Sequence, residues 1–103
     1  MNQILIVEDE SVIRRAVKRL LERNDYVVVE AGSVEEARQL PLKNFDLIIS
    51  DVRLPGAPGT EIIDIATPTP VLIMTSYASI RSAVDAMKLG AIDYIAKPFD
   101  HDE

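Results

Sequence analysis

Four short apolar runs, each ending on a polar or ionisable residue, constrain this chain more than any other feature. Ile4-Leu5-Ile6-Val7 meets Glu8-Asp9, and Leu47-Ile48-Ile49-Ser50 meets Asp51. Val71-Leu72-Ile73-Met74 meets Thr75-Ser76, and Ile92-Asp93-Tyr94-Ile95-Ala96 meets Lys97-Pro98. Continuous apolar runs of this length fit strands covered on both faces, as in a parallel sheet. In an open parallel sheet, ligands sit outside the carboxyl ends of the strands. Strands that neighbour one another would therefore bring three carboxylates, a hydroxyl and an ammonium to one cleft. That donor set suits a divalent cation and a phosphoryl group.

Between these runs the apolar period changes to that of a helix. Val12, Ile13, Ala16, Val17, Leu20 and Leu21 recur at helical spacing from Ser11 onward, while Arg14, Arg15, Lys18, Arg19 and Glu22 take the other face. Asn24-Asp25 ends that helix, and Val27 to Val29 is a further strand. Ser33 with Glu36 three residues later is a capping-box signature for a helix reaching about Leu40, before Pro41. After Asp51 the segment 53–59 is dense in Pro and Gly and reads as a loop. A short helix over about Thr60 to Ala66 is stopped by Thr67-Pro68-Thr69-Pro70. Ala83, Val84, Ala86, Met87 and Leu89 predict another amphipathic helix, closed by Gly90. Strands alternating with helices imply a single α/β domain with right-handed crossovers.

Composition narrows the function. The 103 residues are 48% hydrophobic but only 5% aromatic, so the core rests on Ile, Leu, Val and Ala. The net charge of −6 argues against direct binding of nucleic acid by this domain. There is no cysteine, which removes disulfides and thiolate metal sites. The first apolar run is too short for a signal peptide or membrane span, and a cytoplasmic setting is expected.

Glu8, Asp9 and Asp51 repel one another if close: two carboxylates ~5 Å apart at an effective dielectric of ~20 cost roughly 3 kcal/mol. Protonation or a bound cation relieves this. Oxygen-only ligands beside a phosphate favour Mg²⁺ over Ca²⁺ or Zn²⁺. Taken singly, each carboxylate is as well explained by capping a following helix, Asp9 for the helix at Ser11 among them. Asp51, at the end of a buried strand and before a rigid loop, suits a nucleophile toward phosphorus. Lys97 can pair with a phosphoryl oxygen as a point charge, and Thr75 can donate its hydroxyl. Lys97-Pro98 is a candidate cis peptide. Tyr94 reads as a half-buried strand aromatic on the face opposite Lys97. His101 receives no role. No Walker, GxGxxG, GxSxG, HExxH or zinc pattern occurs.

The segments ILIVEDE (4–10), DLIISDVRLPG (46–56), VLIMTSYAS (71–79) and AMKLGAIDYIAKPF (86–99) resemble, in order, the receiver domain of bacterial two-component response regulators. The DVRLPG and KPF segments look most like receivers of activators that work with an alternative sigma factor. The resemblance implies a flavodoxin-like three-layer α/β sandwich with parallel strand order 2-1-3-4-5. It implies that Asp51 accepts a phosphoryl group from a histidine kinase or phosphotransfer protein, with Mg²⁺ as cofactor. Glu8, Asp9 and Asp51 match the acidic triad. The family's metal is held at the positions of Asp9, Asp51 and the Arg53 carbonyl, with the Glu8 position acting largely through water. Thr75 and Tyr94 match the switch pair, Lys97 the family's lysine, and Arg53 and Tyr77 the positions that tune dephosphorylation. The implied partners also include a second receiver and an effector domain of DNA-binding type. No membrane partner is implied.

Two departures stand out. The third helix is clipped, with Pro68 and Pro70 where its last turn would be, and the chain stops at Glu103, where the family's fifth helix begins. The domain is therefore expected to be truncated, with an uncovered apolar flank on the last strand and reduced stability. Two other readings compete with a phospho-accepting switch. A pseudo-receiver would bind partners without phosphorylation. A Mg²⁺ hydrolase acting on outside substrates needs an acid/base carboxylate just after the nucleophile, where Arg53 stands instead. The chain is thus expected to catalyse only its own phosphorylation and dephosphorylation.

Overall fold

The computed structural model describes residues 2–75 and 80–96. The chain alternates β1 (Gln3–Val7), α1 (Ser11–Glu22), β2 (Val27–Ala31), α2 (Val34–Arg38), β3 (Leu47–Ser50), α3 (Glu61–Ile65), β4 (Val71–Thr75), α4 (Ile80–Leu89) and β5 (Asp93–Ala96). The five strands form one parallel sheet of order β2-β1-β3-β4-β5. This is the flavodoxin-like arrangement expected.

Side-chain alternation along the strands divides the core in two. Leu5, Val7, Ile48, Val71 and Ile73 face one side and pack with Val34 and Ala37 of α2, Ile62 and Ile63 of α3 and Ala86 of α4. Ile4, Ile6, Ile49 and Met74 face the other side and pack against Ile13, Val17 and Leu21 of α1. The continuous apolar runs of β1, β3 and β4 are explained by this: each of these strands supplies both layers.

Local signals fix most element ends. Asp25 takes φ 70°, in the left-handed region, and the Tyr26 N–H then donates to the Leu21 carbonyl, closing α1. Ser33 Oγ accepts from the Glu36 N–H at 3.1 Å, and Glu36 Oε1 accepts from the Gly32 N–H at 2.8 Å. The capping box is therefore present, with its return bond one residue early. Gly90 ends α4 at φ 110°. Helix α3 is five residues long, as the following prolines require, and the Thr67–Pro68 peptide is cis.

The structure corrects three readings. Helix α2 stops at Arg38, and a 3₁₀ turn over Leu42–Asn44, unseen in the sequence, carries the chain to β3. On α1, Val12 is 81% exposed, and Ala16 and Leu20 are also on the surface, so only Ile13, Val17 and Leu21 form the buried stripe. On α4, Ala86 is buried, whereas Val84, Met87 and Leu89 are exposed. These long apolar side chains follow the helical period but lie on the rim of the contact rather than under it. Ile92, just before β5, and Ile95, within it, are likewise exposed. The expected fifth-helix truncation and the Lys97–Pro98 peptide lie outside the described residues.

Candidate functional site

Register brings the first acidic residues together. Val7 of β1 pairs with Ser50 of β3, and the Asp51 N–H donates to the Val7 carbonyl at 3.0 Å. Glu8 and Asp51 therefore leave adjacent strands at the same level. The Glu8 N–H donates to the Ala31 carbonyl of β2 at 3.0 Å. The Glu8 side chain is fully buried, and its Oε2 accepts the Glu10 N–H at 3.1 Å. Glu10 occupies the N-cap position of α1, with no side-chain cap bond, so the capping role considered for Asp9 does not account for the acidic cluster.

One carboxylate oxygen from each of Glu8, Asp9 and Asp51 lies within 4.8 Å of the others. Asp51 is 5% exposed, and Asp9 is open to solvent. Two buried carboxylates and an exposed one, with no cation among the donors, fit a hard divalent ion with part of its hydration shell retained. The Arg53 N–H reaches Asp51 Oδ1 at 3.3 Å, which orients the Asp51 carboxylate from its own loop. Arg53 itself is exposed.

Thr75 is fully buried at the end of β4, next to β3, and pairs with Ala96 of β5. Tyr94 pairs with Ile73 and lies half-buried against the core shared with α2, α3 and α4. Its hydroxyl is 2.7 Å from Ser82 Oγ on α4. Lys97, Tyr77 and His101 lie outside the described residues, so the ammonium and one of the tuning positions are not placed.

Three residues near the site escaped the sequence reading. Gly59 looked like a turn residue, but its backbone packs on the strand that carries Asp51. A Cβ there would overlap the Asp51 main-chain oxygen and lie 2.8 Å from Ser50 Oγ. The Gly59 N–H also donates to the Val52 carbonyl at 2.8 Å. Ser82 was hidden because nothing local pairs it with a strand residue twelve positions on. Arg14, assigned to the solvent face, instead reaches inward to Glu30 and to the Glu8 carbonyl. The Arg14 guanidinium holds the Glu30 carboxyl below the usual 4.5, against the opposing effect of burial and with help from Lys18. Beside these residues a polar hollow of about 390 Å³ opens between Asp9, Arg15, Gly32 and Glu36.

Residues 4–103 match the family model of the response regulator receiver domain. The chain belongs to that family. It is 37% identical to the response regulator protein FleR of Pseudomonas aeruginosa over 95% of its own length, and 36% identical to the transcriptional regulatory protein FixJ of Bradyrhizobium diazoefficiens over 96%. It spans 22% of FleR and 51% of FixJ. Among solved structures, the receiver domain of HemR from Leptospira biflexa superposes with a TM-score of 0.87 at 32% identity, covering 96% of this chain and 84% of that one. The beryllofluoride-activated NtrC4 receiver domain dimer gives 0.88 at 31% identity, covering 97% and 87%. Response regulator TrrA of Thermotoga maritima, solved in complex with Mg²⁺ and BeF, gives 0.83 at 31% identity, covering 99% and 91%. The parallel sheet of order β2-β1-β3-β4-β5 is thus the receiver fold of these neighbours. Among the described residues, no helix is long and apolar enough to cross a membrane.

Proposed function

We propose that this receiver is a phospho-accepting switch in which Asp51 takes a phosphoryl group from a phosphohistidine of a histidine kinase or phosphotransfer protein. The convergence of the Glu8, Asp9 and Asp51 carboxylates at the ends of β1 and β3 carries the reading. Asp9, Asp51 and the Arg53 carbonyl would hold Mg²⁺, with Glu8 acting behind them through water. When bound, the ion neutralises charge among the carboxylates and on the phosphoryl oxygens.

The chain's own residues do the rest. An Asp51 carboxylate oxygen attacks phosphorus in line. The P–N bond to the histidine breaks, and its electron pair returns to the imidazole nitrogen. The product is an acyl phosphate on Asp51. Burial of Asp51 keeps bulk water away from the acyl phosphate. Lys97 and the Thr75 hydroxyl hold the phosphoryl oxygens of the product, and Arg53 and Tyr77 are the residues that set how quickly water reaches it. Outside phosphoesters are not substrates: Arg53 stands two positions on from the nucleophile, where such hydrolases carry a carboxylate.

Output runs through Thr75 and Tyr94. When Thr75 turns toward the phosphoryl group, Tyr94 moves into the space it leaves, changing the surface of α4 and β5. The relatives' names as transcriptional regulators support an effector domain of DNA-binding type in the whole protein. The NtrC4 receiver dimer supports a second receiver as partner.

Adding beryllofluoride with Mg²⁺ to the ¹⁵N-labelled chain tests this. Amide shifts are expected at residues 8–9, 51–53 and 75, spreading to α4 and β5, and none in Asp51→Asn. A wild-type spectrum that does not respond would favour the pseudo-receiver reading.

A further inference from the structure

The Glu8–Asp9 peptide is held in a way that neither strand alone explains. Arg14 Nη1 donates to the Glu8 main-chain oxygen at 2.8 Å, and Arg14 Nε donates to Glu30 Oε1 at 2.9 Å. The arginine side chain is only 18% exposed. Glu30 lies on β2 opposite Ile6 of β1, and Lys18 Nζ, 3.5 Å from Glu30 Oε2, steadies its other oxygen. One guanidinium thus ties β2 to the point where β1 ends. The Glu8 N–H is already fixed by Ala31. That bond fixes the preceding Val7–Glu8 peptide, and the Arg14 bond to the Glu8 carbonyl fixes the Glu8–Asp9 peptide, so the planes on both sides of the Glu8 Cα are set. Asp9 needs this. Its carboxylate is exposed, and among the described residues no hydrogen bond holds it, yet it lies within 4.8 Å of the two buried ones.

We propose that Arg14 is a positioning residue for the divalent-cation site, setting the Glu8–Asp9 peptide so that the Asp9 carboxylate faces those of Glu8 and Asp51. The inference rests on the reading of this cluster as a cation site. Its sign separates it from plain electrostatics. A positive charge beside a cation site opposes binding, so on Coulombic grounds alone removing Arg14 strengthens affinity. Loss of positioning weakens it. Arg14→Lys adds a second distinction, because an ammonium keeps the charge without a planar fork that spans two acceptors.

The probe is Mn²⁺ alone, titrated into the full chain and followed by the electron paramagnetic resonance of the free ion, with melting curves run in parallel. Arg14→Ala and Arg14→Lys are each expected to bind about tenfold more weakly than wild type, in the range seen when the supporting partner of a metal ligand is removed. If Arg14→Ala does not fold, Arg14→Lys, which retains the pairing with Glu30, decides. Wild-type or tighter affinity in the folded variants would overturn the positioning role and leave the site intact. No Mn²⁺ binding by the wild type would overturn the cation site itself, and the role of Arg14 with it.

Discussion

Asp51→Asn is expected to make the metal-free protein more stable while abolishing phosphorylation. Three carboxylates whose oxygens lie within 4.8 Å of one another repel, each pair by roughly 3 kcal/mol at an effective dielectric of ~20. Solvent and small shifts absorb much of that, and a net gain of about 1 kcal/mol on removing one charge is the expected size. Asparagine keeps an oxygen for the Arg53 N–H, so the loop after β3 retains its bond. The variant lacks the nucleophile and one ligand of the cation site. Melting curves with and without Mg²⁺ check both halves. Wild type should gain stability from Mg²⁺ and the variant much less. With acetyl phosphate as donor, intact mass should show one added phosphoryl group in wild type and none in the variant. A metal-free Asp51→Asn that melts below wild type would contradict the account of the site as a store of repulsion. This trade of stability for chemistry is common at functional sites.

Gly59→Ala carries the second large effect. The added methyl has no space: it overlaps the Asp51 carbonyl and sits 2.8 Å from Ser50 Oγ. Both obstacles are fixed, one by the backbone and the other by a buried strand residue whose hydroxyl donates to the Asp51 carbonyl. The strand end or the loop must move. Overpacking of this kind costs about 3 kcal/mol, a large share of the ~5–15 kcal/mol that stabilises a domain of this size, and lowers the melting temperature by about 10–20 °C. Because the displaced atoms belong to Asp51, phosphorylation should slow as well. Gly56→Ala is the contrast. Its φ is 81°, but nothing lies within 4 Å of the new methyl, so only the backbone cost of about 1 kcal/mol applies. Equal melting of the two variants would show that the close approach of Gly59 does not matter.

The sheet and the acidic cluster were legible in the sequence because both depend on strong local signals. The apolar runs of β1, β3 and β4 fit central parallel strands that serve two layers, and the polar residue after each run marks the rim where parallel sheets bind ligands. Glu8, Asp9 and Asp51 follow directly. What could not be read depends on contacts distant in sequence. Periodicity assigned Arg14 to solvent, since no helical pattern shows that Glu30 and the Glu8 carbonyl stand within its reach. The same periodicity placed Val12 and Leu20 in the core, but α1 rests on the sheet along a narrower stripe. The turn over Leu42–Asn44 follows a proline that signals only where α2 must stop. Gly59 was visible as a loop residue. Its purpose lies in the backbone of Asp51, which only the fold brings against it.

The most direct test locates the phosphoryl group. Wild-type protein treated with acetyl phosphate, with Mg²⁺ or with a chelator, is reduced with borohydride, which converts an acyl phosphate on aspartate to homoserine, and the peptides are sequenced by mass spectrometry. Homoserine at position 51, in the Mg²⁺ sample and not in the chelated one, is the result expected. Modification at another residue, or at Asp51 to the same extent without a divalent cation, would contradict the pocket at the ends of β1 and β3 as the place where the chemistry occurs.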